Sequence, residues 1–537
     1  MIEESDNMEK SFNNKNFLVI VFEILIIALA IAGITFATQR LLNNRTLTVV
    51  KTAEYNLDYV GSDTVTFTNL EPISDNLINY NTKDNVIRVE FSLRGVKENK
   101  EEKLIYDVML NEMNIDCALL NKYTKWNLYK NGRLLTSGNL DPTFDGDVLS
   151  DSMRLTEIQE TLPKYNSDYD KYVLIFWISE SCDDLETCKL VDQSNILDSN
   201  LNMKVFIALY TGAKKRYERV PNYDNSCANK PILYNNMIPV TYSNGDWVVA
   251  DDSNGSKVNL WYDYSDQKWA NSVVVTDSSK YKDIGTKIDK KDILANFVWI
   301  PRYRYKLWNV TNEVTDTYKA YDEGIDIIFE NGLATSNNSK IANDLYITHP
   351  AFGNNLRGFW ISKYELSKSD NIYKTIGGVE GYRNESFDTY KEIIAKLSKD
   401  YNLGENVESH IVSSLEWGAT LYLSHSKYGV CSGDGCSSIS TNGSYVSGSD
   451  KQDTTTRNVY GVYDMAGSAK EFASGSCGVG SATGEVSLSN GNWNNGHGTC
   501  GNGEFILRGG KDRGIFTYGE LSMDYVDNTS RVSLISK

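Results

Sequence analysis

The stretch Asn458–Phe472, with the sequence NVYGVYDMAGSAKEF, decides how the second half of the chain folds. Gly461 and Gly467 permit turns that a side chain would forbid, because glycine reaches backbone angles that other residues avoid. Asp464 and Glu471 can accept hydrogen bonds from the backbone N–H groups of those loops. Met465 and Phe472 are apolar and are spaced to pack inward. We therefore interpret the stretch as mainly architectural rather than catalytic.

Four motifs in this part of the chain occur in a recognisable order. Gly358–Leu366 (GFWISKYEL) comes first, Ser414–Tyr422 (SLEWGATLY) follows, the stretch quoted above is third, and Ile506–Gly510 (ILRGG) with Ser530–Leu534 (SRVSL) closes the set. Together they resemble the formylglycine-generating enzyme (sulfatase-modifying factor) superfamily. The resemblance implies a C-type-lectin-like α+β fold with small antiparallel sheets, two helices and extensive loops.

The positions that match the superfamily pattern are Glu416, Trp417, Asn458, Gly461, Asp464, Met465, Gly467, Glu471, Arg508, Gly509 and Gly510. Two positions depart from it: Ser468 replaces the motif asparagine and Phe472 replaces the motif tryptophan. The oxidase members carry a cysteine pair after the Arg-Gly-Gly strand, yet Lys511–Arg531 contains no cysteine. Copper or thiol chemistry needs thiolates, and the four histidines are scattered. We therefore expect no enzyme and no catalytic residue.

Non-enzymatic relatives that the chain resembles are the variable receptor proteins of diversity-generating retroelements. Their binding residues lie between the Arg-Gly-Gly strand and the last strand, which maps to Lys511–Asn528 here. Mixed aromatic and charged side chains suit protein recognition. The candidates are Lys511, Asp512, Arg513, Phe516, Tyr518, Glu520, Tyr525 and Asp527. The alternative is an ordinary solvated loop and strand.

Two helices are predicted between these motifs. Apolar residues recur at helical spacing in Ser386–Leu397. Ser413 and Glu416 form a capping-box pattern, which predicts a second helix that reaches about Ser424. Phe297–Leu307 predicts a strand with Pro301 at a bend or an edge.

The first half of the chain has the pattern of an Ig-like antiparallel β-sandwich over residues 47–212. Val86–Gly95 and Met203–Tyr210 alternate apolar and polar residues, and Tyr172–Ser179 is a nearly continuous apolar run. Asn131-Gly132 predicts a type I′ hairpin turn. With the WNLYKNG hairpin at Trp126–Gly132, this half weakly resembles camelysin-like fibre and spore-coat proteins. Another Ig-like spacer is an equal alternative.

A polar and basic stretch separates the two halves. Residues 213–230 read AKKRYERVPNYDNSCANK, and we interpret them as a linker. Residues 231–537 then form the C-type-lectin-like, sulfatase-modifying-factor-type domain. The predicted fold class is therefore mainly β plus α+β: an N-terminal transmembrane helix, a β-sandwich and a lectin-like domain.

The N-terminal segment predicts export. Phe17–Phe36 is an apolar stretch with one ionisable residue, Glu23, and is long enough to span a bilayer as a helix. We predict a transmembrane helix over residues 17–37, with residues 1–16 as a cytoplasmic tail. A cleaved signal peptide is the alternative. Either reading places the rest outside a bacterial cell membrane.

The eight cysteines favour an exported protein stapled by disulfides. We expect the pairs Cys182–Cys188, Cys431–Cys436 and Cys477–Cys500, and the pairing of Cys117 and Cys227 is left open. Neither of the two short spacings is that of a CxxC zinc or redox site. Free thiols in a reducing cytosol are the alternative.

Charge excludes one class of partner. The net charge of −17 argues against nucleic acid, whose phosphates need a basic patch. Asp450, Asp453 and Asp464 could offer oxygen ligands to calcium, but without EF-hand spacing we predict no metal and no cofactor.

Function is expected to be recognition. The leading hypothesis is a bacterial cell-surface ligand-binding or adhesion protein, with a lectin-like head on a β spacer. Its partner would be a protein or glycan on another cell or matrix. The alternatives are a structural envelope or fibre component and a divergent modifying enzyme of the formylglycine-generating type.

Overall fold

A computed structural model describes these residues: 57–66, 70–95, 104–161, 168–180, 199, 201–211, 213–306, 317–319, 324–333, 340–341, 344–432, 435–437, 443–448, 450–465, 467–475, 485–487, 493–494, 505–510 and 527–537. The described chain is mainly β, with several antiparallel sheets and two α-helices. This confirms the predicted fold class at that level.

The first part is a pair of packed antiparallel sheets. Its strands are β1 (Leu57–Gly61), β2 (Thr64–Thr66), β3 (Ile87–Gly95), β4 (Leu104–Ile115), β5 (Thr124–Lys130), β6 (Arg133–Asn139), β7 (Ser152–Arg154), β8 (Glu160–Thr161), β9 (Asp170–Ile178) and β10 (Leu201–Thr211). One sheet has the order β1-β3-β9-β5-β6. The other has the order β2-β10-β4-β7, with β8 also on β4. The arrangement is the sandwich-like one that the strand pattern predicts.

The core of the sandwich follows from strand periodicity. Phe91 on β3 and Leu174 on β9 face Leu110 on β4 from the opposite sheet, all in one apolar cluster. The second face of β9 is also buried, because residues 70–86 bring Ile73 and other apolar side chains against it. That cover explains why β9 reads as a continuous apolar run rather than an alternating one.

The predicted hairpin is present between β5 and β6. Asn131 and Gly132 have φ values of 50° and 80°, as a type I′ turn requires at both central positions. The Asn131 side chain also accepts a 2.8 Å hydrogen bond from the Lys171 backbone N–H. This bond ties the turn to β9.

The second part is built on one large sheet and several small ones. Its strands are β11 (Met237–Ser243), β12 (Asp246–Val249), β13 (Asn271–Val275), β14 (Ile293–Pro301), β15 (Tyr303–Lys306), β16 (Thr317–Lys319), β17 (Asp326–Phe329), β18 (Lys340–Ile341), β19 (Asp344–Leu345), β20 (Ile347–Thr348), β21 (Gly358–Ser362), β22 (Ser367–Ser369), β23 (Ile372–Lys374), β24 (Val407–Ile411), β25 (Cys431–Ser432), β26 (Gly435–Cys436), β27 (Gly467–Ser474), β28 (Glu485–Ser487), β29 (Trp493–Asn494), β30 (Phe505–Gly510), β31 (Asn528–Ser530) and β32 (Val532–Ser536).

Seven strands form the large antiparallel sheet, in the order β12-β11-β13-β14-β21-β32-β24. The C-terminal strand β32 therefore lies between two strands that precede it by more than a hundred residues. Three strands form the small sheet β30-β27-β31, in which β27 and β31 run parallel. The predicted strand Phe297–Leu307 is two strands, because β14 ends at Pro301 and β15 pairs in another sheet.

Both predicted helices are present among the described residues. Helix α1 (Phe387–Asp400) begins after Ser386, whose side chain accepts a hydrogen bond from the Thr389 N–H. Helix α2 (Ser414–Ser424) begins with the predicted capping box, since both reciprocal bonds between Ser413 and Glu416 are formed. Capping residues of this kind stabilise a helix by about 1 kcal/mol.

Residues 213–230, predicted as a linker, contain no named strand or helix but are held by buried polar side chains. Asn222 and Asp224 are each 1% exposed. Asn229 is fully buried, and its Oδ1 accepts a 2.6 Å hydrogen bond from the Gly332 N–H. Its carbonyl accepts the indole N–H of Trp299 at 3.1 Å. The segment is thus packed against the large sheet.

A disulfide and backbone contacts join the two parts. Cys117 in the sandwich is bonded to Cys227, a pairing that the sequence left open. Ile115 forms a β-bridge with Asn331, whose side-chain amide donates to the Val148 carbonyl at 3.0 Å. Residues 57–537 consequently pack as one compact unit.

In the described part of the chain, no helix is long and apolar enough to cross a membrane. The predicted span over residues 17–37 lies outside the described residues. So does the predicted cytoplasmic tail.

Candidate functional site

The motif stretch Asn458–Phe472 ends in β27, the central strand of the small sheet. Gly461 allows a close approach, since a Cβ there would lie 2.6 Å from the Thr456 hydroxyl. Gly467 has a φ of 91°, which favours glycine. Met465 and Phe472 are each 1% exposed and pack in the main core, as predicted.

A buried ion pair connects this motif to the last strand. Arg531 is fully buried, and its guanidinium makes two hydrogen bonds to the Glu471 carboxylate, one of them Nε to Oε2 at 3.1 Å. It also donates to the carbonyls of Ser362 and Tyr463, each at 2.9 Å. Burial lowers the pKa of Arg531, but the neighbouring carboxylates outweigh burial and the net shift is upward. Glu471 thus binds a side chain, whereas the sequence predicted loop N–H groups.

Glu365 is a second buried acid beside this pair. It accepts a hydrogen bond from the Ser468 hydroxyl at 2.9 Å and from the Ala469 N–H at 3.3 Å. Burial, with the nearby charges of Glu471 and Asp464, holds the pKa of Glu365 well above its usual range. Ser468, a residue that departs from the superfamily pattern, therefore donates a hydrogen bond to this acid.

Asp464 binds a different loop from the turns at Gly461 and Gly467 that the sequence suggested. It accepts hydrogen bonds from the Ser447 hydroxyl and from the Gly448 N–H, the latter at 3.2 Å. Its own φ is 57°, a left-handed conformation that aspartate tolerates. Nearby, burial together with the charges of Asp464 and Asp450 raises the pKa of Asp453 to about 6.

Lys363 is the buried base of this region, at 1% exposure. Its Nζ donates to the Asn271 side-chain oxygen at 2.5 Å and to the Val459 carbonyl at 2.6 Å. It also lies 4.9 Å from the ring centroid of Trp247. Burial lowers the pKa of Lys363 well below its usual value, because it disfavours the charged form of the amine.

The predicted Glu416-Trp417 pair also serves the scaffold. Glu416 accepts hydrogen bonds from the Ser413 N–H and the Ser533 hydroxyl, each at 2.7 Å. Trp417 is fully buried, with the Arg508 guanidinium 4.8 Å above its ring. These contacts tie α2 to β30 and β32.

His410 is a group that we expect to make the stability of the scaffold depend on pH. Its Nε2 lies 3.0 Å from both Glu416 carboxylate oxygens, and its Nδ1 lies 3.9 Å from Glu408. Burial lowers the pKa of His410, but the Glu416 charge and hydrogen bond outweigh burial, so the pKa lies above its usual value. A raised pKa stabilises the fold below pH ~6.5, and that contribution is lost as the pH rises through the folded-state pKa.

Stability measured by urea unfolding should therefore fall more between pH 6 and pH 9 in the natural protein than in the variant His410→Gln. The variant removes the titrating group while keeping a polar side chain of similar reach. Lys291→Gln, at an exposed pair with Asp289, is the matched control and should follow the natural protein. Equal pH slopes for His410→Gln and the natural protein would show that His410 has no such role.

Three of these charged groups are enclosed in the core of the scaffold. Glu365 and Glu471 are each 1% exposed and Arg531 is 0% exposed. A substrate would have to displace the core to reach them. Sequence reasoning missed Lys363, Glu365 and Arg531, although charged residues within otherwise apolar strands were a visible signal.

The candidate recognition segment Lys511–Asn528 is described only at its C-terminal end, Asp527 and Asn528. Lys511 to Tyr525, with all candidates except Asp527, lie outside the described residues. On one side of β27, Gly510 is opposite Gly467, and on the other side Asn528 is beside Lys470. The segment between these two strands therefore begins and ends near the same end of the small sheet.

Asp527 is held at that end by an ion pair and a backbone hydrogen bond. Its carboxylate lies 2.8 Å from Arg383 Nη1, and its backbone N–H donates to Asn384. The Arg383 guanidinium lies 3.8 Å from the ring centroid of Tyr445 and also pairs with Glu380. These half-buried or exposed charged and aromatic groups border the candidate face.

One group of metal-type ligands stands out among the described residues. The donor atoms of His425, Cys431 and Cys436 lie within 4.8 Å of one another. However, Cys431 and Cys436 are joined by a disulfide, and a disulfide sulfur is not a thiolate ligand. The expected pairs Cys182–Cys188 and Cys477–Cys500 lie outside the described residues.

Comparison with known proteins gives little. No protein-family model matches the chain, and no curated protein matches it. Among solved structures, the botulinum neurotoxin serotype C1 binding domain aligns over 62% of this chain and 82% of that chain, at 10% identity and a TM-score of 0.16. A TM-score that low does not indicate a shared fold or function.

Proposed function

We propose that the protein is a bacterial cell-surface binding protein whose second part recognises a protein or glycan through the segment Lys511–Asn528. The proposal rests on one observation: the charged residues of the motif are buried, whereas other charged residues lie in a separate segment. The charged side chains at the motif, Glu365, Glu471 and Arg531, are buried inside the core. The mixed aromatic and charged segment instead connects, in sequence, two strands of the small sheet, which is well anchored.

A rigid base is what a recognition segment needs. Loops that bind partners are held by a scaffold whose own structure does not depend on the ligand. Here β27 is fixed by the pair of Arg531 and Glu471, and the far end of the segment is held through Asp527 and Arg383. The C-type-lectin-like, sulfatase-modifying-factor-type fold belongs to the same proposal. So does attachment to the bacterial cell membrane through residues 17–37.

A glycan and host-protein array probed with the full chain would test the proposal. We expect bound signals on the array, and a drop of at least tenfold in the variant that combines Phe516→Ala and Tyr518→Ala. Aromatic side chains dominate many recognition surfaces. Phe144→Ala is the matched control, because Phe144 is an exposed aromatic residue on the sandwich, at 40% exposure. Signals that persist in the double variant would move recognition elsewhere.

A structural component of the envelope or of a fibre is the second candidate. The junction between the two parts favours it, since the Cys117–Cys227 disulfide and the bridge from Ile115 to Asn331 make a stiff element. Sedimentation of the full chain over a hundredfold concentration range separates the candidates. Self-association favours the structural role, and a monomer throughout opposes it.

A further inference from the structure

Three side chains of the metal-binding type meet at the C-terminal end of helix α2. His425 directly follows the helix, and Cys431 and Cys436 are paired across the short hairpin of β25 and β26. In the part of the chain that the structure describes, this is the one group of three or more histidine, cysteine or acidic side chains placed closely enough to hold a metal ion.

The disulfide between Cys431 and Cys436 decides what this group can bind. The thiolate is the form of cysteine that binds metal, and a disulfide has none. When a dithiol reduces the bond, it supplies two electrons and two protons: the S–S bond breaks, two cysteine thiols form, and the dithiol itself becomes a disulfide. The oxidised hairpin therefore offers one ligand, His425, whereas the reduced hairpin offers three.

Backbone hydrogen bonds hold the three residues in place without the disulfide. The Val430 N–H donates to the Ser424 carbonyl at 2.7 Å, which fixes the turn between His425 and Cys431. Across the hairpin, the Ser437 N–H donates to the Val430 carbonyl at 2.9 Å. A disulfide that closes a loop of only five residues also restricts the unfolded chain little. We therefore expect the hairpin to keep its shape when the bond is reduced.

Close packing surrounds the group on its inner side. A Cβ at Gly429 would lie 2.0 Å from a carbonyl oxygen of the preceding turn, so glycine is required there. A Cβ at Gly324 would lie 3.3 Å from the Cys431 sulfur. His425 and Cys431 are buried, at 6% and 5% exposure, whereas Cys436 is half-buried. Cys436 is thus the member of the group that solvent reaches most easily.

Zinc suits this ligand set. Because β25 and β26 place the two cysteines opposite each other, their sulfurs meet although the spacing is longer than CxxC. Zinc binds thiolate sulfur at about 2.3 Å and imidazole nitrogen at about 2.0 Å in tetrahedral geometry, so its ligand atoms are about 3.6–3.8 Å apart. The three donors lie within 4.8 Å of one another, and rotation of the two reduced cysteine side chains gives the tetrahedral spacing. Calcium and magnesium prefer oxygen ligands.

We propose that the reduced form of this hairpin is a zinc site, with the thiolates of Cys431 and Cys436 and the imidazole of His425 as ligands and water in the fourth position. Zinc binding releases the two thiol protons to the solvent. The site is separate from the segment Lys511–Asn528, so its failure would leave the proposed function untouched.

Titration of the full chain with Co²⁺, a spectroscopic substitute for Zn²⁺, tests the proposal. The reductant is tris(carboxyethyl)phosphine, which becomes the phosphine oxide with oxygen from water and carries no thiol to compete for metal. We expect the reduced chain to form a tetrahedral cobalt centre with thiolate-to-metal charge transfer, which Zn²⁺ displaces. The oxidised chain should form no such centre.

Two single-thiol variants, both measured in the reduced state, locate the centre. Cys436→Ser removes a direct ligand and should weaken zinc binding by about a hundredfold or more, since even outer-shell changes cost about 10–100-fold. Cys227→Ser removes one thiol of the Cys117–Cys227 pair. It is the matched control and should keep the centre and its zinc affinity.

Cys436→His gives a test without reductant, for the case that full reduction unfolds the chain, which tryptophan fluorescence would reveal. One thiol and two imidazoles remain, so this variant should bind Zn²⁺ with its other disulfides intact, and adding His425→Gln should weaken that binding about tenfold or more. Three results would overturn the proposal: no cobalt centre in a folded reduced chain, equal zinc affinity of Cys436→Ser and the natural protein, or no zinc binding by Cys436→His.

Discussion

Replacing Arg531 by methionine is expected to destabilise the protein by about 3–5 kcal/mol, because it leaves the Glu471 carboxylate buried without its partner. The two side chains are 0% and 2% exposed, so water cannot take over the lost hydrogen bonds. The carbonyls of Ser362 and Tyr463 lose their donors as well. Equilibrium urea unfolding followed by tryptophan fluorescence would measure the loss.

Two further variants make this prediction specific. Lys291→Met breaks the pair of Lys291 with Asp289, whose side chains are 77% and 50% exposed. Exposed pairs are worth about 0–1 kcal/mol, so this control should be nearly neutral. Combining Arg531→Met with Glu471→Met removes the orphaned charge and should recover part of the stability. If Arg531→Met alone cost under 1 kcal/mol, the pair would not be holding the small sheet.

Local features were predictable from the sequence because neighbouring residues decide them. The turn at Asn131-Gly132 depends on two positive φ values, and the capping box depends on Ser413 and Glu416, three residues apart. In both cases a short window contains every group that the structure uses. These predictions are confirmed by the structure.

The long-range arrangement could not be predicted in the same way. Strand β32 lies between β21 and β24 in the large sheet. The sequence of its five residues does not indicate which strands it pairs with. The break after Pro301 was visible as a bend or an edge, but the change of sheet at Tyr303 depends on a partner strand elsewhere. Pairing of distant strands is decided by the whole core.

The candidate site shows the same division. The motif residues Asp464 and Glu471 could be singled out from the sequence, yet the partner of Glu471 could not, because Arg531 lies 60 residues away. The cavity that Glu112 and Arg357 line together could not be predicted either, since the two residues come from different halves of the chain.

Removing the Cys117–Cys227 disulfide by two Cys→Ser substitutions is expected to cost about 4–5 kcal/mol at 25 °C. The two cysteines are 110 residues apart, and closing a loop of that length restricts the unfolded chain strongly. The same relation gives only about 2 kcal/mol for Cys431–Cys436, which are five residues apart. The second pair is therefore the matched control, to be compared by urea unfolding under non-reducing conditions.

The comparison also tests how the two parts of the chain are joined. The junction keeps other contacts, notably Asn331 to the Val148 carbonyl, so the folded state should persist without the disulfide. The loss should then appear in a single unfolding transition, since both parts belong to one compact unit and we expect them to unfold together. Two separate transitions in the Cys117/Cys227 variant would instead mean that the disulfide, and not the packed junction, couples the sandwich to the second part.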